Sequence, residues 1–464
     1  MSVNLRIFTT EYTEFHGNRM AAPRQGALTD KCDTLPRIIN ATVYINGSTV
    51  STVRARGGGK DYRIKTPWYS VVIFFLFFLF NGTLRLPAQI TFSGIFDSTV
   101  FVQAGAGDAP ASSCGFEEYA NLRMQAKLRN RAAVYSAVNL IAAAGNYAAN
   151  AKEMAGLETD YPLNPALYVY GENCIAAVEL ERLYFRLSGE SVNFDSGLMR
   201  LPFGYGQVWR PSDFINPGNP LKPDARPRAI LGAAFSWYPT EETKLLTFFS
   251  APRDPFSQKG NGSFLGLSFD KHWNKASIQT LYCFETPKAD SNHGIHRAGL
   301  SIKADIEIGL FMDILYTYDY DAGAEPNGLS FSAGADYSFF DGKLIVLAEY
   351  LYNGEKSSTA FNPEKNLFGF SNNNYLYTNL TFRFNDYTNI SAAVVFGFDD
   401  ISFTPVITLN HDLFQGAALI ISAQVPMDRG LFSGDGNRGE LGPIPPGRNE
   451  GRYFDCAAKI RLRF

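Results

Sequence analysis

The last twelve residues, Tyr453-Phe-Asp-Cys-Ala-Ala-Lys-Ile-Arg-Leu-Arg-Phe464, alternate between two kinds of side chain. One set is Phe454, Cys456, Ala458, Ile460, Leu462 and Phe464; the other is Asp455, Ala457, Lys459, Arg461 and Arg463. Successive side chains of an extended strand point to opposite faces, so this strip is apolar on one side and cationic on the other. The pattern recurs upstream. Ile306, Ile308, Leu310, Met312, Ile314, Tyr316 and Tyr318 oppose Glu307, Gly309, Asp313, Thr317 and Asp319. Leu329, Phe331, Ala333, Ala335, Tyr337 and Phe339 oppose Ser330, Ser332, Gly334, Asp336 and Ser338. Leu376, Thr378, Leu380, Phe382 and Phe384 oppose Tyr375, Tyr377, Asn379, Thr381 and Arg383. Leu122, Met124, Ala126 and Leu128 oppose Asn121, Arg123, Gln125, Lys127 and Arg129.

About eighteen such segments fit between residues 90 and 464, and their connections alternate in length. Tight ones fall at Asn130, Ser188–Glu190, Thr240–Glu242, Trp273–Asn274, Asp305, Phe340–Gly342, Asp386 and Asp412–Leu413. Long ones fall at 105–115, 147–173, 202–228, 251–262, 285–293, 354–374 and 426–451, while 321–327 and 399–400 are moderate or short where outer loops are expected. Strands of roughly ten residues with one apolar face, terminal aromatics and turns short on one side are the signature of a transmembrane barrel. In lipid, closure alone satisfies every backbone group without helices. The expected fold is therefore all-β: a closed antiparallel transmembrane barrel of 16–18 strands, with eighteen the best count.

Composition fits two faces averaged together. Charged residues are 19%, aromatics reach 14% with 38 Phe and 24 Tyr, and mean hydropathy is still slightly negative. A helical membrane bundle needs several apolar runs of about 20 residues, and the chain has one short candidate. A formal charge of −3 gives no basic footprint for nucleic acid.

That candidate is Val71 to Phe80, preceded by Lys60, Arg63 and Lys65 and followed by Leu86-Pro87-Ala88. A charged region, a compact apolar core and a small residue at the cut read as a secretory signal peptide over 63–88. A single-pass anchor is the rival reading. No Cys follows the apolar core, so this is not a lipoprotein signal. Residues 1–62 show no periodicity, and the expectation is that translation starts downstream of them. The working barrel is then 89–464.

A signal peptide, a β-rich body and a terminal strand ending in Phe464 resemble bacterial outer-membrane proteins. The resemblance implies an outer-membrane location, both termini periplasmic, contact with outer-membrane lipid, and a last strand read by the barrel-assembly machinery through Phe464. Gly197-Leu-Met-Arg-Leu-Pro-Phe-Gly-Tyr-Gly206, Arg210-Pro-Ser-Asp213 and Asn216-Pro217 resemble porin-type barrels of the phosphate-selective and alginate-export kind. A Lys-Gln element of that kind is replaced here by Leu198-Met199, and Trp209 follows its Gly pair, so no substrate is carried over.

Eighteen strands enclose an aqueous channel, whereas about eight fill with side chains. Passage of small hydrophilic solutes is the first reading. Candidate pore-lining residues are Arg123, Lys127, Arg297, Lys303, Glu307, Asp313, Asp336, Glu349, Arg383, Lys459 and Arg461. The cations Arg123, Lys127, Lys459 and Arg461 cluster on the second and last strands. The acids Glu307, Asp313, Asp336 and Glu349 lie well around the wall, so a transverse field is expected if both sets face inward. Arg129 and Arg463 read as rim residues. The Pro-rich loop 202–228, with Tyr205, Trp209, Arg210 and Asp213, is either a constriction folded into the lumen or a rigid surface loop.

Two other readings stand beside the channel. A receptor or adhesin would use loops 147–173, 202–228 and 426–451 to hold a host ligand. A hydrophobic-substrate transporter would need an apolar lumen. No catalytic motif, cofactor site or metal spacing is found; His293 and His296 lack a partner Cys. Cys114 and Cys174 are candidates for a disulfide at the outer edge, and Cys283 and Cys456 for packing. A porin of this kind is either trimeric or monomeric.

Overall fold

The computed structural model describes residues 54–57, 60–63, 88–106, 112–128, 131–145, 166–170, 174–216, 229–251, 262–287, 293–319, 328–354, 372–427 and 452–464. The apolar core of the expected signal peptide lies outside these residues, as do most of 147–173 and 426–451. The chain divides into a unit ending at Thr83 and a unit from Leu84 onward. In the first, Arg54–Gly57 pairs with Lys60–Arg63 as a small hairpin. No strand periodicity announced it.

The second unit is the expected closed antiparallel barrel. Its strands begin with β1 (Ala88–Ala106), β2 (Ser112–Leu128), β3 (Ala132–Gly145), β4 (Cys174–Ser188), β5 (Val192–Met199) and β6 (Ile230–Thr240). Next come β7 (Thr243–Ser250), β8 (Phe264–Trp273), β9 (Ala276–Glu285), β10 (Ile295–Asp305), β11 (Gly309–Asp319) and β12 (Leu329–Phe339). The last six are β13 (Leu344–Asn353), β14 (Asn374–Arg383), β15 (Thr388–Gly397), β16 (Ser402–Phe414), β17 (Ala417–Gln424) and β18 (Arg452–Arg463). Each pairs with its chain neighbour, and β18 pairs with β1 from Arg452↔Ala106 to Arg463↔Ile95.

The alternation that predicted the strands also assigns their faces. Phe92, Leu122, Leu267, Leu310, Tyr316, Leu380 and Ile460 are exposed on the outside, while Asn121, Ser268, Asp313 and Ser332 are buried on the inside. An outer surface this apolar is stable against hydrocarbon and unstable against water. Aromatic bands edge it at both ends. Trp237, Trp273, Phe340, Phe384 and Phe414 ring the short-turn end; Tyr282, Tyr316 and Phe398 are exposed toward the long-loop end.

The seam is held on both faces. Outside, Phe464 exchanges backbone bonds with Gly94 (N–H of Gly94 to O of Phe464, 2.8 Å; the reverse, 3.2 Å). A Cβ at Gly94 would lie 2.5 Å from the Phe464 ring, so glycine leaves the seat for the terminal aromatic. Inside, Arg461 grips Asp97 with two bonds of 2.8 and 2.7 Å.

Four details differ from the sequence expectations. The turn placed at Asp305 lies at 306–308, so Ile306 and Ile308, expected on the apolar face of a strand, stand in the turn. The turn placed at Asp412–Leu413 lies beyond Phe414, because a register slip after Asp412 lengthens β16 and Gly416 takes the left-handed backbone (φ 84°). Cys114 and Cys174 are not joined. Gly145 of β3 pairs with Gly115 and Ala144 pairs with Cys174, so a whole strand separates the two thiols. Two interstrand spacings of about 4.8 Å exceed the reach of a disulfide. Finally, β5 is short and leaves the wall after Met199. The vacated edge of β4 is filled by a five-residue strand, Ala166–Tyr170, pairing with Ile175 to Glu179.

Candidate functional site

Where β5 ends, the chain turns inward. Residues 200–216 lie against the inner wall from β7 to β15, and their hydrogen bonds favour the lumen for this part of the loop; 217–228 lie outside the described residues. Gly204 donates its amide to Gln279 (2.7 Å). The amides of Gln207, Val208 and Trp209 converge on the Glu349 carboxylate at 3.2, 2.8 and 3.0 Å. On the return leg, the Ser212 amide donates to Asp313 (3.2 Å), as does its hydroxyl. Ser301 donates to the same carboxylate at 2.7 Å. Ser332 donates to the Trp209 carbonyl at 3.0 Å.

Glycine makes the close approach to these carboxylates available. At Gly204 (φ 81°) a Cβ would lie 2.3 Å from Asp313 Oδ2; at Gly206 it would lie 1.9 Å from the Trp209 carbonyl oxygen. Two apolar contacts complete the attachment. Leu201, Phe203, Phe214 and Ile215 pack on Leu246, Phe248, Phe264, Leu281, Cys283 and Leu315 of the wall. At the loop tip, Trp209 is fully buried among Leu351, Tyr375 and Val395. Burying an indole and two phenyl rings inside a channel is what fixes the loop against the pull of water.

The other side of the lumen is built from paired charges. A bulge in β4 inserts Glu181 between Leu180 and Arg182, sending both charged side chains inward. Glu181 accepts from Asn121 and pairs with Arg182 (3.2 Å) and Arg200 (2.9 Å). Asn139 donates to Glu179 at 2.7 Å, and Arg123 to Asn121 at 2.5 Å. Arg186 pairs with Asp195, and Lys459 stands 3.9 Å from Asp97. In these pairs the carboxylates are the deeper partners: side-chain exposure is 2–15% for Glu181, Asp97 and Asp195 against 15–36% for Arg182, Arg186, Arg200, Lys459 and Arg461. The wall therefore presents its cations.

The candidate residues separate accordingly. Arg123 and Lys127 are exposed on the lumen face of β2. Lys459 and Arg461 share it at the seam with Asp97. Asp313 and Glu349 are buried beneath the loop and spend their oxygens on its amides, so they do not face a solute. Asp336 receives Gln207 of the loop. Arg297 pairs with Glu285 (2.8 Å) and lies over the Phe214 ring at 4.9 Å, holding the loop instead of lining a passage. Glu307 sits in the β10–β11 turn, Lys303 pairs with Asp305 near it, and Arg383 is exposed at the end of β14. On the loop, Trp209 and Asp213 are buried, Tyr205 is half-buried, and Arg210 is exposed with its Nε donating to Gly206 O at 2.6 Å. Burial pushes the Asp213 carboxyl well above the usual carboxylate range, against the attraction of Arg210.

Glu181, Arg182, Arg200 and Asp97 were missed from the sequence. The adjacent Glu181-Arg182 pair, which breaks the alternation of β4, was the available signal.

No family model and no curated protein matches the chain. Among solved structures it is similar to Pseudomonas aeruginosa OccK2 (OpdF), with 9% identity and a TM-score of 0.50 over 81% of this chain and 98% of that one. Pseudomonas aeruginosa OccK7 (OpdD) gives 10% identity and 0.49 over 82% and 99%. A BenF-like porin from Pseudomonas fluorescens Pf-5 gives 9% and 0.49 over 82% and 99%. At such identity the likeness is one of fold: this chain is a closed, antiparallel barrel of eighteen strands.

Proposed function

We propose that this protein is an outer-membrane channel for the passive passage of small hydrophilic solutes, and that it favours anions. The observation that carries the reading is the pairing of a loop-narrowed lumen with a wall whose cations project further than their carboxylate partners. Arg210 on the loop adds a cation from the side where the acids are buried. The expected transverse field thus becomes one-sided. Fixed charges of one sign facing a narrow passage select ions of the other.

The adhesin reading loses residues 202–216 of its second loop, since these turn inward. The apolar lumen that a hydrophobic-substrate transporter needs is present as a patch, but the loop fills it. The fold and the solved porins of like fold support an outer-membrane location with termini at the short-turn side. Within the same proposal, residues 63–88 are a cleaved signal peptide, the last strand serves barrel assembly, and the phosphate-selective likeness of the loop makes phosphate one anion to test.

The test is conductance of the purified chain in planar bilayers under a potassium chloride gradient. The expected result is steady current with a reversal potential on the chloride side, moved toward the potassium side by R123Q/R182Q. Silence would sink the channel; an unmoved potential would sink the anion preference. N-terminal sequencing of the mature protein should begin at Gln89.

A further inference from the structure

The return leg of the loop carries a carboxyl group that the grip on its tip does not use. Asp213 ends the 3-10 turn Pro211–Asp213 and is buried, with its Oδ1 meeting no hydrogen-bond partner. The amide of Asn216 donates to the backbone carbonyl of Asp213 (3.2 Å), and Ser212, the preceding residue, donates twice to Asp313 of β11, which sets the two acids on one buried contact. Arg210 attracts the Asp213 carboxyl and the charge of Asp313 repels it. Asp313 already accepts three bonds, two from Ser212 and one from Ser301 of β10.

The remaining charged groups on the packed elements are engaged elsewhere. Arg297 of β10 pairs with Glu285, and Lys303 with Asp305. Asp336 of β12 receives Gln207, and Glu349 of β13 receives the loop tip. Two carboxyl groups that share a buried site do not readily ionise together. Asp313, with three donors, is the better anion, so of the two acids Asp213 is the one that keeps a proton.

We propose that Asp213 is a proton-operated latch for the loop. With its proton bound, residues 210–216 stay seated on β10 and β11. When the proton passes to water, a second negative charge stands beside Asp313 and the return leg loosens. The upward displacement of this carboxyl by burial supports the same order of events. The sign follows from linkage: the seated leg binds the proton more tightly than the released leg. Seating is therefore strongest at or below the ordinary carboxylate range and weakens as pH rises toward the raised value.

The electrical consequence rests on the channel reading; the latch itself does not. Amide hydrogen exchange of the full chain in bilayer nanodiscs, corrected for the intrinsic pH dependence, reads the latch directly. Between about pH 5 and about pH 9, protection of residues 201–216 should fall about tenfold while the strands hold, and Asp213→Asn should show no fall. Constant protection in the wild type, or the same fall in the Asn variant, overturns the proposal. If that variant does not fold, the wild-type profile alone decides. In bilayers, current fluctuations should grow with pH in the wild type. Steady current that ignores pH would overturn the latch and leave the channel standing, whereas silence at every pH would overturn the channel and leave the exchange result to judge the latch.

Discussion

From β7 to β14 the inner wall carries Phe248, Leu281, Phe311, Leu315 and Leu351 among its polar positions, and the loop lies on it. Across the lumen, on β1 to β5 and β18, the inner wall carries Asn121, Asn139, Glu181, Arg182, Asp97 and Arg461, and charges answer one another there. Both walls are built from strands with one apolar and one mixed face. The difference lies in what meets the inner face. Where apolar side chains interrupt it, the loop has something to bury and a core forms inside the barrel. Where they do not, each carboxylate is held by neighbouring donors and the cations are left toward the passage. A buried carboxylate can thus anchor backbone, as Glu349 does, or steady guanidinium groups, as Glu181 does; the neighbouring donors decide which.

The comparison can be broken from the covered side. Glu349→Ala removes the acceptor for three amides, each costing about 1–3 kcal/mol when left buried without a partner. The loop tip should detach, seen as the largest rise in single-channel conductance, with Glu349→Gln giving partial rescue. Trp209→Ala opens a cavity worth about 3–5 kcal/mol of loop seating. Faster exchange of residues 206–210 should report it, with the strands unchanged. Gly204→Ala forces a Cβ onto Asp313 from a left-handed backbone, a cost of about 1–2 kcal/mol. Its effect should appear as current noise without a change in selectivity. At the small end, Arg131→Ala breaks an exposed pair with Glu190 at 3.8 Å. Pairs of this kind contribute about 0–1 kcal/mol, so thermal unfolding should move within error; a larger shift would mean that the short-turn rim matters more than its exposure implies.

Much of this was legible in the residues. Strict alternation in the terminal strand and its repetition upstream placed all eighteen strands, because a barrel face must agree with its solvent at every second position. The tight turns were legible for the same reason, except where a register slip at Asp412 shifted one and where the turn expected at Asp305 falls at 306–308. The direction of the loop was not. Phe311 and Leu315 sit on the lumen face of β11, where they break the polar pattern. Leu315 belongs to the seat of the loop, and nothing in the alternation marks it as one. Asp313 and Glu349 looked like a charged wall, since nothing in their spacing shows that Gly204 and Gly206 bring backbone amides within reach.

What the sequence by itself determined is the barrel: a strand number of 16–18 and the lipid-facing surface, both of which follow from local alternation and turn chemistry. What only the tertiary structure decided is which half of the lumen stays open. That choice depends on contacts between residues more than a hundred positions apart, Trp209 with Glu349 and Ser212 with Asp313. Burial of the loop sets their meaning, because a carboxylate covered by amides no longer acts on water or on a passing ion.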